Sequence, residues 1–371
     1  MHRAAAVSEL SLGIDYWLAA THAPGVGRYL REWTRALAEL EQGPRLALFD
    51  VGPAGESIPE EALGLAAAGA RVRRRRARIR RGWTALLERG LGLPVEAWIG
   101  KVDVFHRAHP LGSPRSRAPA VVALAQPPSA AEREALSSLA AVLVFSEHAR
   151  EQLVQVHGVR EDLVQRVPVG ADHWRRGMKE PLDRRRAGGR ARILVLGAVR
   201  AGRGHGAILE SFNALRGGGA DLDLVICGRR GDAAPRLESA LRSSPFRTDV
   251  RWIDEPMESA MAELAAGADV LVHLERASWT AVTPLEAMGF GAAVVTSPLP
   301  AFREALGGLA HYVEGDPEAP TGLSGALELA LASSADDAAR LARRELARGF
   351  TWRANALATL KIDSEIAARR G

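Results

Sequence analysis

The sequence predicts an α/β protein of two doubly wound, parallel-sheet domains, and three observations carry that prediction. The chain has 371 residues, too many for one average core. Short apolar, β-rich runs alternate with longer Ala/Leu/Glu/Arg stretches, the rhythm of parallel strands and crossover helices. That rhythm breaks once, over residues 175–191, "RRGMKEPLDRRRAGGRA", where charge, Gly and Pro replace apolar periodicity and mark a linker.

In order, the first domain (1–174) reads as a strand in "SLGIDYWL", a helix over 27–41, strands in "RLALFDV", "VDVFH", "AVVALA" and "AVLVFS", a helix over 147–157 and a strand in "VQRVPVG". The second (192–351) reads as strand "RILVLGAV", helix 204–216, strand "LDLVICG", helix 233–242, strand "VRWID", helix 257–267, strand "DVLVHL", helix 284–289, strand "AAVVTS", helix 300–306 and a strand near "AHYVEG". Helices at 322–332 and 336–348 follow, and a last one over 352–369 closes the chain. Two such halves are expected to enclose a cleft, with ligand crevices at the carboxyl ends of the strands.

Composition narrows the function classes. With 47% hydrophobic and 25% charged residues the chain sits near globular averages. The longest apolar runs, "APAVVALA" and "LAAVLVF", are too short to span a bilayer, and Glu9 and Asp15 interrupt any signal-peptide core. A single cysteine, Cys227, excludes an intrachain disulfide and a Cys-rich zinc site. A cytoplasmic protein is expected, with contact at the inner membrane face as the further possibility raised by the run "RVRRRRARIRRG" at 71–82. Nearly all the cation in the chain is Arg, beside abundant Ala and Gly, which points to a compositional bias and away from a nucleic-acid partner. The run reads as a solvated loop or helix face, and Arg73–Arg81 as a candidate for touching acidic lipid headgroups.

Three stretches could carry chemistry. In "APGVGRYL" (23–30), Gly25 and Gly27 permit a tight turn at a helix entrance whose free N–H groups suit a diphosphate, and an ordinary turn accounts for them as well. In "LGAVRAGRGHGAILESF" (196–212), Gly197 ends a strand, and Arg200 and Arg203 precede a helix, where two guanidiniums suit a phosphate-bearing leaving group. In "SWTAVTPLEAMGFGAAVV" (278–295), Pro284 suits a first helical turn and Glu286 falls where a helix dipole stabilises a carboxylate, ahead of a Gly291 turn and a buried strand. The pair in "DLD" (221–223) reads as a loop-to-strand boundary, not a metal site, and no metal is expected.

Together with "VLVFSEHAREQLVQVHGVREDLVQRVPVGAD" and "FTWRANALATL", these stretches give the chain, nearly end to end, a resemblance to GT-B glycosyltransferases of the large retaining family 4, mannosyltransferase-like group. The resemblance implies a metal-independent, retaining hexosyltransferase-type enzyme of glycan biosynthesis that uses a nucleotide sugar as co-substrate and a saccharide, lipid-linked or natural-product acceptor. It assigns Arg203, in place of the family's Lys, and Glu286, the ribose-holding Glu, as catalytic groups. The donor side comprises Gly25, Gly27, Gly197, Arg200, Arg203, Ser278, Thr280, Ala281 and Glu286. The acceptor side comprises His106, His109, Gln126, Ser146 and Glu147, the last two with Arg150 matching an "SE-x-x-R" stretch. It also implies that the closing helix, opened by Trp352, returns to the N-terminal domain.

The chain departs from that pattern on the sugar-facing side. Ser278 stands where the family has the first Glu of its Glu-x7-Glu motif, Trp279-Thr280-Ala281 replace Gly-Phe-Gly, and Leu124-Ala125-Gln126 replace Val-His-Asp. Glu275, three residues upstream of Ser278, does not substitute without a loop shift. Two readings follow: a transferase with an altered donor or acceptor, and a non-catalytic GT-B protein that binds a nucleotide or a protein partner. A dehydrogenase is disfavoured, because no Gly-x-Gly-x-x-Gly with a suitably placed acid follows either opening strand.

Overall fold

The computed structural model describes residues 10–21, 25–51, 63–77, 93–176, 189–254 and 258–369. Contacts divide the chain into two compact units, Met1–Gly170 with Trp352–Gly371, and Ala171–Thr351.

The first unit is built on a seven-stranded sheet: β1 (Ser11–Asp15), β2 (Arg45–Val51), β3 (Val72–Ala77), β4 (Val104–Arg107), β5 (Ala120–Ala123), β6 (Ala141–Val144) and β7 (Val164–Arg166), in the order β3-β2-β1-β4-β5-β6-β7. All pairs are parallel. The inner strands are short apolar runs because both faces are covered: Leu12, Ile14, Leu48, Val104, Val121 and Leu143 are buried in one core with Leu30, Trp33 and Leu37 of the helix Val26–Ala38. The closing helix Trp352–Ala368 contributes Trp352, Ala356, Leu360 and Ile366 to that same core. Each of its fully buried large side chains contributes about 1.5–3 kcal/mol. Two polar ties fix it: Asn355 Nδ2 donates to Pro168 O at 2.6 Å, and the buried Asp363 Oδ1 lies 2.9 Å from His106 Nε2.

The arginine run corrects the sequence reading. Arg71 ends the 3-10 helix Ala66–Arg71, and the rest of the run's described part is neither loop nor helix but the edge strand β3, in register with β2 through Leu48↔Arg74 and Asp50↔Arg76. Consecutive arginines hide the period-2 signal of a strand, while an edge position tolerates charge and is protected by it from pairing with other chains. Arg74 turns inward and donates through Nε to Asp50 Oδ2 at 2.9 Å. Arg73, Arg75 and Arg76 are exposed, and Arg78–Arg81 lie outside the described residues.

The second unit is built on a six-stranded, all-parallel sheet: β8 (Ala191–Leu196), β9 (Leu222–Cys227), β10 (Val250–Ile253), β11 (Val270–His273), β12 (Ala293–Thr296) and β13 (Ala310–Tyr312), in the order β10-β9-β8-β11-β12-β13. Its core joins Ile193, Leu224, Val272 and Val295 to Phe212 of the helix His205–Gly217 and Leu327 of the helix Leu323–Ser334. Of the expected linker, residues 177–188 are outside the described set, Arg175 ends the 3-10 turn His173–Arg175 and Ala191 already begins β8. The helix expected over 147–157 is α-helical only over Glu147–Glu151 and continues as the wider turn Gln152–Val156. No helix of the described residues is long and apolar enough to cross a membrane.

At Gly170 the chain passes against Trp352: a Cβ there would fall 2.4 Å from the indole Cδ2. The ring is held by Tyr29, whose centroid is 5.8 Å away, so it cannot yield freely. Gly170→Ala should therefore lower unfolding stability by roughly 1–3 kcal/mol, read as a lower denaturant midpoint of the first unit with an unchanged slope.

Candidate functional site

In the second unit the strand order reverses between β8 and β11, and the crevice at that switch point is where open parallel sheets bind ligands. The loop leaving β8 turns at Gly197, φ +121°, where a Cβ would stand 2.5 Å from Arg203 Nη1. Glycine thus lets the guanidinium fold back on the strand end, where Nη1 donates to Leu196 O at 3.2 Å. Arg203 Nη2 donates to Glu275 Oε1 in a largely buried ion pair.

Glu275 follows β11, and its N–H donates to Ser297 Oγ at 3.0 Å. Its Oε1 also lies 3.7 Å from Arg200 Nη2 and 3.8 Å from His273 Nε2. The counting of the sequence motif set Glu275 aside, yet in the fold it is the carboxylate bound to Arg203. Burial lowers the Arg203 pKa, with Glu275 opposing the shift. A second carboxylate sits on the same loop: Glu318 Oε1 accepts from the N–H groups of Gly202 at 2.7 Å and Gly204 at 3.2 Å. Gly204, φ +64°, then opens the helix His205–Gly217.

Two buried histidines complete the group, and neither was singled out from sequence. His205 has no hydrogen-bond partner on either ring nitrogen among the described residues, and burial, then Arg203, pushes its pKa down to about 4. Burial likewise pushes His273 down to about 4. Both are neutral at pH 7, so the local charge is that of Arg200 and Arg203 against Glu275 and Glu318.

The stretch 278–286 corrects another expectation. The helix runs over Val282–Met288 with Ala281 as its N-cap, so Glu286 is its fifth residue, beyond the first turn. Its carboxylate is fully buried, with Oε1 3.5 Å from His173 Nε2, which also lies 3.3 Å from Glu258 Oε1. Ser278 Oγ donates to Thr280 O at 3.0 Å and accepts from Thr280 N at 3.4 Å, closing a turn on itself. Thr280 Oγ1 is buried with no partner among the described residues.

In the first unit, Gly25 takes φ +66° and caps the helix Val26–Ala38, whereas Gly27 is already inside that helix and buried. His106 is no surface group for an acceptor: it is buried, engaged by Asp363 and packed 4.4 Å from the Trp33 ring. His109 is exposed, with Nε2 2.9 Å from Glu132, itself part of a capping box with Ser129 that begins the helix Ala130–Leu136. Gln126 is exposed after β5 and Ala125 half-buried. Ser146 caps the helix Glu147–Glu151 by accepting from Ala149 N at 3.2 Å, and Glu147 Oε1 accepts from Arg150 Nε at 2.8 Å. The "SE-x-x-R" stretch thus makes a helix start.

Among the described residues no three His, Cys, Asp or Glu side chains converge as metal ligands. Asp221 and Asp223 lie 2.8 and 3.4 Å from Arg190, and Cys227 is buried.

The comparisons agree with this architecture. Residues 180–346 match the family model of glycosyl transferases group 1. The fold is GT-B: the chain is similar to a sucrose-phosphate synthase from Thermosynechococcus elongatus, with TM-score 0.70 and 16% identity over 94% of this chain and 97% of that one. It is also similar to Anabaena Alr3699/HepE, solved with UDP and glucose, with TM-score 0.66 and 12% identity over 98% and 99% of the two chains. A third is an α,α-trehalose 6-phosphate synthase from Burkholderia multivorans, with TM-score 0.65 and 14% identity over 98% and 100%. Among curated proteins no relative matches the chain.

The buried histidines set a pH dependence. Their folded pKa of about 4 lies below the ordinary 6.5, so the unfolded chain takes up the protons first as pH falls. Their contribution is complete above pH 6.5 and is lost towards pH 4, by at most about 3 kcal/mol each. Denaturant midpoints of the second unit should fall between pH 7 and 4.5, and the fall should be smaller in His205→Asn/His273→Asn.

Proposed function

We propose that the protein is a glycosyltransferase that moves a sugar from a nucleoside diphosphate donor to a saccharide, lipid-linked or natural-product acceptor, with retention and without a metal, in the manner of the family 4 group. The observation that carries this reading is the pair of guanidiniums, Arg200 and Arg203, at the β8 switch point beside a helix N-terminus. The match of residues 180–346 to the glycosyl transferases group 1 model supports it.

In this reading an acceptor hydroxyl oxygen bonds to the anomeric carbon as its bond to the diphosphate oxygen breaks, the electron pair stays on the phosphate, the hydroxyl proton passes to the departing diphosphate, and Arg203 and Arg200 stabilise the growing charge. Gly197 brings the backbone close to the diphosphate, and Glu286 receives the ribose hydroxyls. Thr280 Oγ1, buried without a partner among the described residues, offers a polar contact to the sugar. Gln126 and His109, both exposed, are the acceptor-side groups retained from the sequence reading.

One observation favours a second reading, a non-catalytic nucleotide-binding or partner subunit: the Ser278 hydroxyl is spent on its own turn. Calorimetry of the full chain against UDP, GDP and ADP separates the two. One nucleotide should bind saturably and lose at least tenfold in affinity in both Arg203→Ala and Glu286→Ala, followed by transfer or hydrolysis of its sugar ester. Binding of none of them sinks the transferase reading and leaves the partner subunit.

We further place the protein in the cytoplasm, at the inner membrane face, with the exposed Arg73, Arg75 and Arg76 of β3 touching anionic lipid. Basic residues near such a surface contribute about 1 kcal/mol each. Phosphatidylserine vesicles should therefore co-sediment the protein at low salt, and Arg73→Gln/Arg75→Gln/Arg76→Gln should lower the retained fraction at least tenfold. Equal retention of the two proteins would rule this contact out.

A further inference from the structure

The Arg203 site already contains its own anion. Arg203 has Nη1 on a backbone carbonyl and Nη2 on Glu275, so its best-directed donors are engaged before any ligand arrives. Glu275 is buried, and its backbone is tied to Ser297 at the end of the neighbouring strand β12, so the carboxylate does not leave without disturbing two strand ends. The nearby histidines add no compensating charge at neutral pH, because burial holds both at about 4. Arg200 and Arg203 face the fixed carboxylate of Glu275, and a second carboxylate, Glu318, sits on the Gly202 and Gly204 amides, so little net positive charge is left for an incoming phosphate.

We propose that Glu275 is a specificity-determining residue of this site, an internal counter-anion that disfavours bare phosphates and favours a phosphate ester whose adjoining group brings a hydroxyl donor to the carboxylate. The proposal rests on the reading that Arg203 faces a diphosphate. Like charges a few ångströms apart in a half-buried site repel strongly, since water screens them poorly there. A ligand that donates to Glu275 offsets that repulsion with a charge-assisted hydrogen bond, whereas pyrophosphate or a free nucleoside diphosphate has no donor to offer at that point. Glu275 is suited to this because Oε1 is committed to Arg203 and Oε2 makes no hydrogen bond among the described residues. The consequence is a site that holds a sugar ester and releases the nucleotide left after transfer.

The test is calorimetry of the full chain with inorganic pyrophosphate, with whichever of UDP, GDP and ADP binds, and with the glucose ester of that nucleotide. Glu275→Gln keeps an acceptor for Arg203 and removes the charge. Pyrophosphate and free nucleotide should bind Glu275→Gln at least tenfold tighter than the unaltered protein, and the advantage of the sugar ester over the free nucleotide should shrink by a similar factor. Both changes should vanish in Arg203→Ala/Glu275→Gln. Unchanged or weaker pyrophosphate binding by a folded Glu275→Gln protein would overturn the proposal, and Glu275→Ala answers the same question if the Gln variant does not fold. Failure of the functional reading has its own signature: nucleotide binding that Arg203→Ala leaves untouched, or no nucleotide binding by either the unaltered protein or Glu275→Gln.

Discussion

Every strand pair in both sheets is parallel, and this hydrogen-bonding arrangement decides where reactive side chains can gather. A parallel neighbour cannot be reached by a tight turn, so each strand must open at its carboxyl end into a longer crossover connection, which in most cases carries a helix. In the second unit the registers Val272↔Val195 and His273↔Thr296 bring the ends of β8, β11 and β12 to one edge. Thr296 Oγ1 then donates to His273 O at 2.7 Å, and Ser297 accepts the Glu275 N–H. The ladder thus delivers Arg203 from the loop after β8, His273 and Glu275 from the end of β11, and Ser297 from the end of β12 to one small volume.

The electrostatics of that volume follow from desolvation. A buried guanidinium without a counter-charge would be costly, and Glu275 supplies the pairing that makes Arg203 tolerable there. The Gly202 and Gly204 amides meet a carboxylate in the same way. These contacts hold the loop in shape while occupying groups that an external anion would use. The two histidines stay neutral beside them.

Most of the fold was legible because most strands are apolar runs buried on both faces. The second unit in particular follows the β8 to β13 segments almost as written in the sequence. Legibility failed where one residue type carried two roles. In β3, Arg74 points inward and Arg73 and Arg75 outward with no change of residue to mark the alternation. Arg200 and Arg203 stand out in the sequence because loop arginines before a helix are visible there. Glu275 was passed over because motif spacing counts residues and does not report which side chain a strand end turns towards the neighbouring loop. His106 failed for the converse reason: a histidine at a strand end reads the same whether it meets a ligand or, as here, a buried aspartate from a helix 257 residues away.

The helix Trp352–Ala368 makes the first unit discontinuous in the chain. During synthesis its seven strands leave the ribosome roughly 180 residues before the helix that completes their core. Until then the surfaces of Leu30, Trp33 and Leu37 that face this helix lack part of their cover, while the second unit, continuous in sequence, can form without waiting. The nascent polypeptide therefore passes through a stage in which its later half is finished and its earlier half is not, and it is the earlier half that calls for protection against aggregation.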